Sequence, residues 1–516
     1  TGGEASPNAD EAKEFWSKIW SVDKQHDGDA SWLGGVKEKL GGVEQMEDIA
    51  VSLEDVKAGI RKMANWKAPG PDGVRGFWFK KFQSLHSPMT GALQSLIRLG
   101  EVPEWLVKGR TVLIQKDPAK GTVASNYRPI ACLPLMWKLL TGIFADKIYD
   151  HLLANNVLPD EQKGCRRGSR GTKDQLLIDK VILREVRRKK RCLSVAWIDY
   201  KKAYDMVPHS WIREMLDVVK VAGNLKGLLT NSMADWKTVL TANGEMLGEV
   251  DIRRGIFQGD SLSPLLFIIV MIPLSILLKR EKLGYSFGPD GELINHLLFM
   301  DDLKLFGKTE RELEGLVDLV SVYSRDIGME FGLEKCASLV IRRGVKEGND
   351  GIELPNGEMM KEVDANGYKY LGVLEGADIK NREMKDKVSG EYLRRVKLVA
   401  KSKLYGGNVI KALNVWAVSV VRYSAGILEW SDKELKKLDI RTRKILAMAG
   451  VFHIRSSVDR LYRKRKDGGR GLISVVDCVR GEEIALGEYV KGSEEWMLKV
   501  VAGGIEVGES KIEYFR

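Results

Sequence analysis

Residues 297–306, Leu-Leu-Phe-Met-Asp-Asp-Leu-Lys-Leu-Phe, place two adjacent aspartates, Asp301 and Asp302, inside an apolar, strand-forming run. Burying an unpaired carboxylate is costly, so such a run is tolerated where the chain turns, where a cation is held, or both. The stretch therefore reads as a β-hairpin with the aspartates at its tip. A second stretch behaves alike: Val195-Ala196-Trp197-Ile198-Asp199 ends an apolar strand on a carboxylate, followed by Lys201, Ala203, Tyr204 and Asp205. Either stretch alone is adequately explained by solvated turn residues or a helix cap. Together, in a basic chain, they describe carboxylates converging on a hard cation such as Mg²⁺. Two such ions can stabilise an attacking hydroxyl and a leaving pyrophosphate, the arrangement of two-metal phosphoryl transfer.

Outward from these stretches the chain alternates strand and helix. Cys192–Ile198 reads as a buried strand and 209–221 as a helix. Thr238–Ala242 and Gly248–Arg253 form a hairpin through Asn243-Gly244, a favoured type I′ pair. Residues 309–327 follow as an amphipathic helix, and 336–342 and 368–373 as short strands. Upstream, 11–25 reads as a short amphipathic helix with Phe15, Ile19 and Val22 on one face and Trp16 and Trp20 beside them. Ser52 caps a helix to Trp66, with Glu54 and Asp55 in its first turn, stopped by the turn signals of 68–73. Residues 75–98 read as one helix, Thr111–Gln115 as a strand, and 136–154 and 172–190 as helices, the last ending in basic Arg187–Arg191. After about residue 380, helical patterns at 384–404, 407–428 and 433–449 and basic residues at 455–470 mark a separate unit.

Composition narrows the class. The 516 residues carry a net charge of +11, with 44% hydrophobic and 30% charged residues, a balance that excludes a disordered chain. The length predicts three or four packed units, and the charge suggests a polyanionic partner. Five widely spaced cysteines without a C-x-x-C pair exclude a disulfide framework and a cysteine zinc site, and imply a reducing, intracellular setting. Thr1–Asp10 lacks a signal-peptide pattern. The charge-free run Leu262–Leu278 is at the lower limit for spanning a bilayer and reads as a core helix, with Ser263 as its cap and Pro264 at its first position.

An ordered series of blocks resembles the reverse transcriptase domain of non-LTR (LINE-type) retrotransposons over about residues 46–475. It runs through Asn65–Gly73, Lys116 with Asn126–Ile130, Gln162–Ser169, Asp199–Asp205, Gly255–Pro264, Phe299–Asp302, Phe331–Lys335, Gly367–Gly372 and Gly468–Leu472. The wording is most similar to the Dong-like group, which carries a restriction-like endonuclease. The resemblance implies an α+β right-hand polymerase: an N-terminal extension (1–45), fingers (46–191), a palm with an antiparallel sheet (192–378), a helical thumb (379–475) and the start of a linker (476–516). It implies Asp199, Asp301 and Asp302 as metal ligands for two Mg²⁺ ions, which Mn²⁺ can replace. Strand alternation favours Asp199 and Asp301 as the direct ligands. Tyr204 would be the ring that excludes a 2′-hydroxyl, Gln258 and Gly259 would close the nucleotide pocket, and Lys116 and Arg128 would grip the triphosphate. Lys335 would protonate the leaving pyrophosphate, and Tyr370, Leu371 and Gly372 would form the primer grip. The basic runs Arg187–Arg191 and Arg463–Lys466 would touch phosphates, with Trp66 and Tyr462 stacking on template bases.

The implied activity is RNA-directed DNA synthesis, as used in target-primed reverse transcription. Its partners would be template RNA, a DNA or RNA primer, the RNA–DNA hybrid and dNTPs, with no membrane, an oligomeric state left open with the monomer favoured, and an intracellular, nuclear residence. Two departures stand out: Met300 precedes the aspartate pair where alanine is common, and 44 residues after Leu472 are too few for the group's zinc knuckle and endonuclease. The expectation is a polymerase without DNA nicking. The competing reading is a non-catalytic RNA-binding scaffold derived from a polymerase.

Overall fold

The computed structural model describes residues 6–287, 291–507 and 512–514; the parts of the extension and linker expectations that fall on residues 1–5, 508–511 and 515–516 lie outside it. Two sheets organise the first three quarters of the chain. The strands that build them are β1 (Lys108–Gln115), β2 (Tyr127–Cys132), β3 (Leu193–Ile198), β4 (Lys237–Ala242), β5 (Glu245–Asp251), β6 (His296–Phe299), β7 (Asp302–Gly307), β8 (Ala337–Arg342) and β9 (Val345–Glu347). β10 (Tyr368–Tyr370) and β11 (Val373–Glu375) pair apart from both as a small hairpin. The five-stranded sheet has the order β9-β8-β3-β7-β6 with every pair antiparallel. β3 lies at its centre, and all six of its residues are buried, as an uninterrupted apolar run requires. The other sheet, β2-β1-β4-β5, contains one parallel pair, β1 with β4.

The main helices are α1 (Ala9–Trp20), α2 (Leu135–Ala154), α3 (Thr172–Arg188), α4 (Ser263–Arg280), α5 (Glu310–Asp326), α6 (Asn381–Ala400), α7 (Asp432–Met448) and α8 (Val475–Lys491). The chain is thus mixed α/β, with antiparallel pairing dominant and helices prevailing after residue 380. Buried apolar side chains fall into two clusters, where the length suggests three or four units. One gathers α1, α2, α4 and α5; the other joins α3 and one face of the five-stranded sheet to the C-terminal helices. α4 is apolar and long enough to cross a membrane, and 78% of that stretch is buried against protein, as a core helix would be.

Several elements differ from their expected form. Ser263 is the first helical residue of α4 and not its cap; Leu262 holds the cap position without a side-chain bond, and Asp260 accepts from the Thr141 hydroxyl at 2.7 Å instead. The 75–98 stretch breaks at Phe82 (φ −90°, ψ 69°) into Gly76–Lys81 and His86–Leu99, joined by a 3₁₀ turn. β5 begins at Glu245 and not Gly248, because a bulge shifts the register between Leu240 and Thr241 and hides the strand's alternation. The expected strand 368–373 is the β10–β11 hairpin, whose turn sets Leu371 at φ +43° and Gly372 at φ +83°. A π turn at Leu413–Ala417 interrupts the helix expected over 407–428.

One buried charge cluster ties these elements together. Lys304 of β7 lies 2.5 Å from Asp179 of α3 and 2.5 Å from Glu375 of β11, and none of the three side chains is exposed. The Trp197 indole on β3 also donates to Glu375, at 2.7 Å.

Candidate active site

β3 ends at Ile198, which pairs with Leu303, so Asp199 leaves the sheet beside the start of β7. Asp302 is the first residue of β7, opposite Phe299, and Met300-Asp301 form the two-residue turn between β6 and β7. The three aspartates therefore gather at one end of the five-stranded sheet. Asp301 is a turn residue, so strand alternation does not rank it against Asp302. Gln162 clamps this turn: it accepts from the Met300 N–H at 2.9 Å and donates to the Met300 carbonyl at 3.3 Å, holding Met300 at φ +58°.

The carboxylates repel one another. Asp302 stays open to solvent on one side, yet the surrounding protein, and then Asp301 and Asp199, raise its carboxyl to about 7. Asp301 is raised by burial and by Asp199, against opposing pulls from Lys335 and Arg128. Lys335, in the turn Leu333–Lys335, donates to Asp199 Oδ1 at 2.8 Å. Burial alone would lower the Lys335 ammonium, but this bond and the Asp199 charge raise it. The backbone supports the contact, since the Gly332 N–H donates to the Asp199 carbonyl at 2.8 Å.

Cations face the aspartates from the other sheet. Lys116 follows β1, and Arg128 lies in β2 opposite Ile114. Burial, then repulsion from Lys335 and Arg128, lowers the Lys116 ammonium, while Asp205 and Asp199 pull it upward. Lys116, Arg128, Lys335 and the three aspartates thus act on one another across one site.

The flanking pocket is built from α4 and the loop before it. The Tyr204 ring stacks on Phe267 with centroids 4.7 Å apart and planes 8° from parallel. The Gln258 carbonyl accepts from the Ala131 N–H at 2.7 Å, and its side-chain amide donates to Asp205 Oδ2 at 3.3 Å. Gly259 takes φ +130°, and a Cβ there would collide with the Ala131 carbonyl, so glycine is required twice over. Beside Gly259 a cavity of about 730 Å³ opens, lined by Lys67, Lys138 and residues Ile130, Ala131 and Cys132 of β2, within the size range of small-molecule sites.

Other expected contacts are placed differently. The Tyr370 ring is buried, 5.1 Å from the Lys304 ammonium, so of the three expected primer-grip residues Leu371 and Gly372 reach the surface and Tyr370 does not; the Leu371 carbonyl accepts from Tyr423 at 2.6 Å. In the run 187–191, Arg187 pairs with Asp378, and Lys189 and Arg191 with Glu185, which reduces the positive charge left for phosphates. Tyr462 accepts from Arg443 at 3.1 Å and is half-buried. Trp66 is 63% exposed and stacks on Phe77 at 4.8 Å, beside a second exposed pair, Trp78 and Phe82, at 5.6 Å. The Lys81 ammonium lies over the Phe77 ring, 5.7 Å from its centroid. The aromatic strip, the Gln162 clamp and the Asp205 bond were not drawn from the sequence, although Gln162 and Asp205 stand inside the blocks quoted there.

The donor set fits divalent cations: carboxylate oxygens only, mutually repelling, with raised carboxyls that a cation would relieve. Among the described residues no three such side chains are closed around a common point, and Lys335 holds one oxygen of Asp199.

Comparison with known proteins agrees with this geometry. The family described as reverse transcriptase (RNA-dependent DNA polymerase) matches residues 114–374, just over half of the chain and all of the charged site. The chain is 28% identical over 316 residues to the Pol polyprotein of an R2 retrotransposable element from Nasonia vitripennis, covering 60% of this chain and 29% of that protein. It is 26% identical over 435 residues to an R2 Pol polyprotein from Popillia japonica, covering 82% and 58%. To the RNA-directed DNA polymerase of the mobile element jockey from Drosophila funebris it is 23% identical over 425 residues, covering 77% and 45%. The chain thus spans between 29% and 58% of the length of these relatives. The match takes in the carboxylate hairpin, the strand that precedes it, Lys116 and Arg128, and the chain belongs to the reverse transcriptase (RNA-dependent DNA polymerase) family.

Proposed function

We propose that this chain is an RNA-directed DNA polymerase that adds deoxynucleotides to a primer on an RNA template. One observation carries the reading: Asp199, Asp301 and Asp302 meet at one sheet end and face Lys116, Arg128 and Lys335. In this reading the five-stranded sheet is the palm, the sheet of β1 and β2 with the helices before it the fingers, and the helices after residue 379 the thumb. Asp199, Asp301 and Asp302 hold two Mg²⁺ ions, or Mn²⁺ in their place. When bound, such ions favour the deprotonated primer hydroxyl and offset the charge on the leaving pyrophosphate.

The protein's own groups do the rest. Lys116 and Arg128 bind the triphosphate, and the stacked Tyr204 ring leaves no room for a 2′-hydroxyl. Lys335 donates a proton to the leaving pyrophosphate once it releases Asp199, a role its raised pKa supports by keeping that proton in place. The Leu371-Gly372 turn supports the primer end. Template RNA stacks on Trp66 and its neighbours, a sequence-tolerant contact in a basic setting. The partners are template RNA, a DNA or RNA primer, the hybrid and dNTPs, and the place of action is the nucleus, where chromosomal DNA supplies the primer.

The test is primer extension by the purified chain with Mg²⁺, dNTPs and a primed RNA. Extension on the RNA template is expected. Salt-sensitive RNA binding without any incorporation would favour the scaffold reading instead.

A further inference from the structure

Helix α1 belongs to the segment that the sequence treats as a flanking extension, yet it docks against the pocket. Its buried face is Ala12, Trp16 and Trp20, one residue per turn, and the two indoles stack at 4.5 Å. Its last turn is fastened to the chain that leads from β5 into Gly255–Gly259. The Trp20 carbonyl accepts the Arg253 and Arg254 N–H groups at 2.7 and 3.2 Å, and the Ile19 carbonyl accepts Arg254 Nε at 2.6 Å.

From this anchored turn the Trp20 indole N–H donates to Asp205 Oδ1 at 3.2 Å, a buried contact. The other oxygen of the same carboxylate accepts the Gln258 amide at 3.3 Å. One buried carboxylate is therefore shared between α1 and the residue that closes the nucleotide pocket. A second tie lies alongside: the Lys202 ammonium, with no hydrogen-bond partner among the described residues, sits 4.1 Å from the Trp16 ring and 5.0 Å from Phe15. Both ties end within 199–205, the segment that also carries Asp199 and Tyr204.

We propose that α1 is part of the nucleotide pocket and that Trp20 is a positioning residue: its indole N–H fixes the Asp205 carboxylate, which fixes the Gln258 amide toward the incoming deoxynucleotide. The reasoning is one of satisfied partners. Without the indole N–H, a buried carboxylate oxygen has no donor, the carboxylate is free to turn, and the amide loses the acceptor that sets which of its ends faces the pocket. This proposal rests on the polymerase reading.

The test compares the unsubstituted chain with Trp20→Phe, which keeps a ring but lacks the donor. A second form carries benzothienylalanine at position 20, which keeps the indole shape and lacks the N–H. Single-nucleotide incorporation on a primed RNA is measured against dNTP concentration, with primer–template affinity measured separately without dNTP. In both forms the dNTP KM should rise about fivefold, the scale of one lost hydrogen bond, with kcat and primer–template affinity unchanged. In a Gln258→Ala background the same change at position 20 should add nothing to the KM. An unchanged KM in both forms, or equal losses of KM, kcat and primer–template affinity, overturns the proposal and leaves the polymerase reading intact. If the unsubstituted chain neither incorporates a dNTP nor forms a dNTP-dependent complex with a dideoxy-terminated primer, both readings fall.

Discussion

Tyr204 shows how one side chain acquires a role from its neighbours. Phe267 stacks flat on its ring at 4.7 Å, which sets the plane that the proposed reading turns toward the sugar. Tyr204→Ala should cut the preference for dNTPs over NTPs at least about tenfold, the scale of discrimination by shape. Competitive single-nucleotide incorporation reads this ratio, and an unchanged ratio would remove Tyr204 from the pocket. At this scale the sequence is most legible where a residue violates its surroundings. Asp199, Asp301 and Asp302 stand out because carboxylates interrupt apolar strands. Trp20 and Gln162 do not, because tryptophan on an amphipathic helix and glutamine in a loop violate nothing. Their importance comes from partners 185 and 138 residues away.

Among the elements, the β6–β7 hairpin and the β10–β11 hairpin are held in one arrangement by Lys304, Asp179 and Glu375. A buried cation with two anions is stable only while every partner is present. Lys304→Met should leave two buried carboxylates without their cation and cost about 3–5 kcal/mol of stability, read as a lower denaturant midpoint. A shift below about 1 kcal/mol, the usual size for an exposed pair, would show that the cluster contributes little. Strong local patterns gave the expected elements: the Ser52 cap closes a capping box with Asp55, and Asn243-Gly244 forms its turn. The misread elements share a different cause. The bulge in β4–β5 and the turn at Leu371-Gly372 are set by strand pairing, which local periodicity does not carry.

The whole molecule couples its stability to pH through two buried histidines. His209 Nε2 donates to the Gly255 carbonyl at 3.0 Å, and His296 lies between Asn295 and Ser275; burial lowers both to about 4. The unfolded chain protonates these groups near pH 6.5, so from there down to about pH 4 it binds more protons than the fold and stability falls. Asp205 and Asp302, raised to about 6 and about 7, act in the opposite sense, because there the fold binds more protons. His296→Gln should therefore flatten the acid loss seen in unfolding midpoints between pH 7 and pH 4.5; an unaltered slope would contradict the assignment. The net charge of +11 suggested only an acidic partner. The fold adds the separation that matters, carboxylates gathered at one sheet end with Lys116, Arg128 and Lys335 around them. That separation is the central claim, and it is tested most directly by primer extension on an RNA template with the unsubstituted chain and with Asp301→Ala. The unsubstituted chain should extend the primer and Asp301→Ala should bind the same RNA yet fall to background; extension by Asp301→Ala at the unsubstituted rate would contradict the account.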